Sequence, residues 1–476
     1  MVKKIPIVVA YALILLLGSS LISPALAATT EEMIAAAQTS ADTGFMLMCS
    51  ALVLLMTPGL AFFYGGFVRD RNILNTLLMS FLLMGIVGVT WVLWGYSLAF
   101  APGTPFIGGL QWLGLNNVSA TMEVTDYLKG SAPEEIVSYS ATIPHQTFMI
   151  YQAMFAIITP ALISGAIVER VSFRAYALFV LIWSTFIYCP LAHMVWAKGG
   201  FLGLAGGIGA LDFAGGTVVH ISSGISALVA AIVIGPRKTY PSQLASPHNV
   251  PFILLGAGLL WFGWFGFNSG SALASGSLAT VAFVTTNTAA AAAALTWLIL
   301  EKVLRGKPTA VGVATGAVAG LVGITPAAGF VTPLGAILIG SITAVCCFFA
   351  ISVKHKLQID DALDTFPVHG VGGTVGAILA GVFATKTVNS AIVGEGFNHE
   401  GLLFGNPSQL LTQIIAVVIA YIFAGVGTFV ILKILDATVG LRLSAEEEYQ
   451  GMDMHEHGEE GYGEEFASGI SIKQNS

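Results

Sequence analysis

Two histidines stand in apolar stretches that read alike. Val219-His220 opens VHISSGISALVAAIV and Val368-His369 opens VHGVGGTVGAILAGV; at the same offset Gly224 meets Gly373 and Val233 meets Val382. An ionisable side chain inside such a stretch is costly and usually faces a pathway or another polar group. One such histidine is as readily a hydrogen-bond partner between helices. Two at matching repeat positions favour a pair, in which one imidazole donates to the other and fixes its tautomer. A metal site is the weaker reading, since no third ligand lies nearby in sequence.

Other residues cluster around these two. Asp212 stands two helical turns before His220, where it is placed to cap the helix and, secondarily, to attract a cation. Trp196 closes an apolar run; it suits an interfacial anchor, and its face also suits a small cation. The segment Trp261-Phe262-Gly263-Trp264-Phe265-Gly266-Phe267-Asn268-Ser269-Gly270-Ser271 sets aromatics against glycines. Phe267 and Ser271, four apart, share a helix face. Phe155, in Tyr151-Gln152-Ala153-Met154-Phe155, is a further aromatic whose ordinary role is packing.

The elements that must position these residues are membrane helices. The chain has 476 residues, 55% hydrophobic and 9% charged, against about a quarter charged in an ordinary soluble domain. Its 55 glycines suit close helix packing in lipid. Apolar runs long enough to span a bilayer fall at 43–66, 73–100, 146–168, 175–195, 216–235, 250–268, 278–300, 309–328, 333–353, 365–385 and 408–434. The expected fold is therefore an all-α polytopic membrane protein with eleven transmembrane helices. Five spans separate the two histidine segments, an odd step that puts the copies in opposite orientation and implies an inverted five-helix repeat.

The N-terminus has the pattern of a secretory signal over 1–27: Lys3 and Lys4, an apolar core from Ile5 to Leu17, and Ala25-Leu26-Ala27 as a cleavage site. With the mature N-terminus outside, one set of loops holds Arg69, Arg71, Arg170, Arg174, Arg237, Lys238, Lys302, Arg305, Lys307, Lys354 and Lys356, and the other only Lys129, Lys198 and Lys386. That bias places the first set in the cytoplasm. The membrane domain then runs over 41–435, with a cytoplasmic tail over 436–476. The net charge of -7 owes much to acids in that tail, among them Glu446, Glu447, Glu448, Asp453 and Glu456. No basic stripe invites nucleic acid. Cys49, Cys189, Cys346 and Cys347 lie in apolar stretches and read as small buried hydrophobes. No nucleophile–base pair or phosphate loop points to an enzyme, and no cofactor is expected.

The combination of Thr57-Pro58-Gly59-Leu60, Phe63-Tyr64-Gly65-Gly66, Asp212 through His220, Gly263 through Ser271, and Asp364 through His369 resembles the ammonium transporter (Amt) family over residues 41–458. The resemblance implies a homotrimer of eleven-span subunits in the plasma membrane, each with its own pore. It implies that Trp196, Phe155 and Ser271 form an external ammonium-binding vestibule supported by Asp212. Phe155 and Phe267 would be a stacked phenyl gate, and His220 and His369 a twin-histidine pair in the pore. Gly440 through Glu448, with Gly451-Met452-Asp453 and His457-Gly458, resembles the tail on which a PII-type signalling protein docks in many members. Two further readings stay open: an ammonium sensor, and a Rhesus-type ammonia or carbon dioxide channel, which Trp196, Ser271 and the Asp212 motif disfavour.

Overall fold

The computed structural model describes residues 29–120, 139–204, 206–241 and 246–462. The expected signal segment 1–27 and Lys129 lie outside them. Among the described residues, ten helices are long and apolar enough to cross a membrane. They are α1 (Thr30–Phe67), α2 (Asp70–Phe100), α3 (His145–Ile167), α4 (Phe173–Trp196), α5 (Gly216–Ile234), α6 (Val250–Ala272), α7 (Ser277–Arg305), α9 (Pro333–Lys356), α10 (Phe366–Phe383) and α11 (Pro407–Thr438). The span expected at 309–328 is a shorter apolar helix, α8 (Ala310–Ile324). At 15 residues it falls below the ~20 that a bilayer needs. Pro326, just beyond its end, cannot continue it; the ring instead sits where a Cβ on Gly216 would fall, 2.4 Å from Pro326 Cβ. The first helix begins earlier than expected, because Thr29 and Glu32 form a capping box.

Small residues set the packing. A Cβ on Gly256 of α6 would lie 2.3 Å from the Phe63 backbone nitrogen of α1, and one on Gly66 of α1 would lie 2.6 Å from Asn249 O at the start of α6. Gly59 and Gly263 make further close approaches in the same pair, so two backbones meet along a glycine seam. The same device crosses α5 and α10: a Cβ on Gly224 would lie 2.1 Å from Gly370 N, and one on Gly373 would lie 2.9 Å from His220 Cβ. Two short hairpins, Gly103–Thr104 with Ile107–Gly108 and Val393–Gly394 with Phe397–Asn398, are the only strands among the described residues.

The tail is knitted into the bundle as far as Tyr462. Ser172 N donates to Leu441 O at 3.0 Å and Leu443 N to Arg170 O at 3.2 Å. The Asp453 carboxylate accepts from Leu74 N at 2.9 Å and Asn75 N at 2.8 Å, filling the open donors in the first turns of α2. Between them lies a six-residue helix, α12 (Ala445–Gln450), with its own capping box from Ser444 and Glu447. Residues 463–476 lie outside the described set.

Candidate functional site

Both histidines lie in widened turns in which the helix admits one extra residue. His220 falls in Gly216–Ile221 at the start of α5, where its N–H reaches back five residues to Gly215 O at 3.0 Å. His369 falls in Phe366–Val371 at the start of α10. Such turns frequently mark functional positions. Each is preceded by an aspartate that caps it. The Asp212 carboxylate accepts four N–H bonds, from Gly215 (2.7 Å), Gly216 (2.6 Å), Thr217 (2.8 Å) and Val218 (3.1 Å). Asp361 accepts from Thr365 (3.1 Å) and Phe366 (2.7 Å).

The Gly224 and Gly373 crossing brings the imidazoles together. His220 Nδ1 and His369 Nδ1 lie 3.3 Å apart, with ring centroids 5.3 Å apart and planes 26° from parallel. Both side chains are buried. A hydrogen bond between two Nδ1 atoms needs one donor and one acceptor, so each ring dictates the other's tautomer. Among the described residues, His220 Nε2 is buried with no hydrogen-bond partner. The His220 ring also stacks against Trp264, with centroids 5.4 Å apart, and the Trp264 indole donates to Thr325 Oγ1 at 2.8 Å.

A narrow cavity holds both histidines. Its other walls are Met56, Leu60, Phe63, Ile158, Leu162, Val219, Leu260, Trp264, Phe267 and Val318. All of these are apolar apart from the tied indole. A second cavity continues from His369 past Tyr64, Thr315 and Thr365 to Asp364.

On the Trp196 side the Phe267 ring lines the cavity and the Phe155 ring packs against it. Phe155 and Phe267 have centroids 4.3 Å apart at 36°, and Phe155 meets Trp196 edge-on at 5.8 Å. The Trp196 indole donates to the backbone oxygen of Asp212 at 3.0 Å. Ser271 Oγ donates to Phe267 O at 3.0 Å and lies 3.2 Å from Tyr151 Oη. Tyr151 in turn donates to Phe267 O at 2.7 Å, so its hydroxyl braces the phenyl pair from behind. The seven residues singled out in the sequence thus form one chain of contacts from Trp196 to His369. Asp212 enters it through its backbone, while its carboxylate is taken up by the helix.

Charges gather at the other end of the bundle. Glu169 is buried and pairs with Arg69 at 2.9 Å and Arg237 at 2.7 Å. Arg237 reaches on to Asp360 at 2.8 Å. Burial alone would raise the Glu169 carboxyl, but Arg237 and Arg69 hold it down at about 2. Burial pulls the Arg170 guanidinium down to about 10. The tail joins this network: Glu448 accepts from Lys238 N at 2.9 Å and pairs with Arg442 at 2.7 Å.

Sequence reasoning passed over two glutamines in α11. Gln409 and Gln413 are buried and bond the loop before Asp212: Gln409 Nε2 to Gly209 O at 2.9 Å, and Gln413 Nε2 to Leu211 O at 2.8 Å. Two amides one turn apart in an otherwise apolar run were the signal available.

Ten helices of membrane-spanning length and apolarity among the described residues, gathered around two touching imidazoles, a phenyl pair and an indole, define a multi-pass membrane protein. The family model described as Ammonium Transporter Family matches residues 44–462. The chain is 50% identical over 422 residues to the ammonium transporter of Bacillus subtilis (strain 168), covering 88% of this chain and 98% of that protein. The crystal structure of Saccharomyces cerevisiae Mep2 superposes with a TM-score of 0.77 at 36% identity, covering 85% of this chain and 88% of that one. A structure described as a sensor Amt protein superposes with a TM-score of 0.77 at 29% identity, covering 88% of this chain and 99% of that one. The chain belongs to the ammonium transporter family.

Proposed function

We propose that this chain recruits ammonium at a vestibule formed by Trp196, Phe155 and Ser271 and supported by Asp212. Ammonium gives up its proton near the Phe155 and Phe267 gate, and ammonia crosses past His220 and His369. The observation that carries this reading is the pair of buried imidazoles 3.3 Å apart, beneath two phenyl rings 4.3 Å apart. Moving a bare ion into such a medium costs on the order of tens of kcal/mol, so potassium and sodium are refused. Neutral ammonia carries no such penalty, and the imidazoles offer it weak hydrogen bonds and relay the proton.

The subunit crosses the membrane eleven times, the eighth crossing made by α8 together with the buried turns over 325–331 that follow it. What supports this is charge: α7 ends on Lys302 and Arg305 and α9 on Lys354, His355 and Lys356. If both helices end on the cytoplasmic side, the chain between them must cross back, and α8 lies there. The pairings of α1 with α6 and α5 with α10, each five helices apart, support the inverted repeat. The membrane is the plasma membrane, with a cleaved signal at 1–27, the mature N-terminus outside and the tail inside. The subunits form a homotrimer with one pore each. A PII-type protein docks at the cytoplasmic face, near α12 and the loops it touches.

Uptake into proteoliposomes, with methylammonium as labelled substrate and ammonium as competitor, tests the reading. We expect uptake that ammonium suppresses and equal potassium does not. Uptake no faster than in empty vesicles would reject transport and favour the sensor reading, for which the likeness to the sensor Amt structure is the supporting observation.

A further inference from the structure

We propose that Gln413 is a positioning residue for the vestibule, acting through the backbone that carries Asp212 and Trp196; this rests on the vestibule reading above. The Gln413 amide is buried and engages every hydrogen-bonding position it has. Its Oε1 accepts from Leu211 N at 2.7 Å and from Gln409 Nε2 at 3.3 Å. Its Nε2 donates to Leu211 O at 2.8 Å and to Ala377 O of α10 at 2.9 Å. A carboxamide has two donors and two acceptor lone pairs, and all four are matched.

The amide therefore grips both polar groups of one peptide residue, as a neighbouring strand would. That residue is Leu211. The next one, Asp212, caps the widened turn of His220 with its carboxylate and holds the Trp196 indole with its carbonyl. Ala377 belongs to α10, the helix of His369. One side chain thus ties the vestibule loop to the helix behind the second histidine. Gln409 backs it: its Nε2 donates to Gly209 O at 2.9 Å, while His399 Nδ1 lies 3.1 Å from its Oε1. Gly209 has φ +80, and a Cβ there would lie 2.1 Å from His399 Cε1, so the loop cannot slide past this ladder.

A membrane helix gains nothing from a bare amide in lipid, and a simple helix contact would need one bond rather than four. The bidentate grip on Leu211 is what a device for orienting Trp196 requires. Gln413 touches no substrate in this scheme. Its loss should weaken recruitment while leaving the conduction steps at the gate and histidines intact.

The test is methylammonium uptake by Gln413→Leu, Gln413→Glu, Trp196→Leu and the Gln413→Leu/Trp196→Leu double variant, each normalised to protein in the vesicle. We expect Gln413→Leu to raise KM about tenfold, the equivalent of one or two lost buried hydrogen bonds. Vmax should stay within about twofold, since Gln413 contacts neither phenyl ring nor either imidazole directly, and the caps of both histidine turns remain. Gln413→Glu keeps the acceptor for Leu211 N, so it should fall between the two. In the double variant Gln413→Leu should add little to Trp196→Leu, as expected for residues acting in one chain. An unchanged KM in Gln413→Leu, a loss confined to Vmax, or a fully additive double variant would overturn the assignment. Should Gln413→Leu fail to insert, Gln413→Glu decides alone: a raised KM supports the proposal and an unchanged one overturns it. An unchanged KM in Trp196→Leu would instead strike the vestibule reading, whatever Gln413 does.

Discussion

The two histidine arms are built to one plan and set in opposite surroundings. In each, an aspartate caps a widened turn, the turn presents an imidazole, and a glycine in the next turn meets the other arm. Around Asp212 the partners are an indole and backbone amides. Around Asp361 they are ionic: Lys354 Nζ donates to Asp361 O at 2.6 Å and pairs with Asp364, and Arg237 with Asp360 lies alongside. Burial pushes both aspartate carboxyls up; Lys354 then pulls Asp361 back and the four N–H groups pull Asp212 back. The difference teaches that one backbone plan can be held by neutral dipoles in one arm and by paired charges in the other. In the proposed scheme the Trp196 end offers aromatic faces and neutral dipoles to an arriving cation. The Asp361 end locks loops and tail together with paired charges.

The largest break in this comparison comes from removing the caps. Asp212→Ala leaves four N–H groups without their acceptor, Asp361→Ala two. At about 1–3 kcal/mol for each buried group left unpaired, the first variant should lose roughly twice the stability of the second. Thermal unfolding of the purified protein in detergent checks this. Equal losses would mean that water replaces the Asp212 carboxylate and that the two arms are not as different as their bonds suggest.

A smaller effect sharpens the ionic side. The Glu169 carboxyl sits at about 2, below its ordinary 4.5. A depressed carboxyl contributes stability that is fully present above the ordinary value and is lost as pH falls through the folded one. Glu169→Gln should therefore cost about 3 kcal/mol at neutral pH, and the gap from the unaltered protein should close between pH 4.5 and 2. Unfolding followed across that range reads it directly. A gap that persists to pH 2 would assign the loss to packing rather than charge.

The pairing of His220 with His369 and the capping by Asp212 were legible in the sequence because ionisable side chains in apolar runs stand out, whereas Ser271 follows Asn268, Ser269 and Gly270 and was singled out by the family resemblance. Trp196, Phe155 and Phe267 were not separable from packing by their own spacing, and the family resemblance singled them out. The widened turns escaped notice, since an extra residue in a helical turn leaves no mark on composition. The grip of Gln413 on Leu211 and the cap that Asp453 gives α2 join residues far apart in the chain, and nothing in local spacing encodes such pairings. Helix ends were shifted where caps decide them, as at Thr29, and the short α8 was overestimated because Gly and Ala kept the pattern apolar beyond Ile324.

The account stands on the contact between the two imidazoles in an apolar passage. Its most direct test is flux and selectivity of His220→Ala and His369→Ala in proteoliposomes, with methylammonium and potassium offered in turn. The account predicts that each variant loses ammonium-selective flux or begins to pass potassium. Unchanged flux with unchanged selectivity in both variants would contradict it and leave the histidines as packing residues.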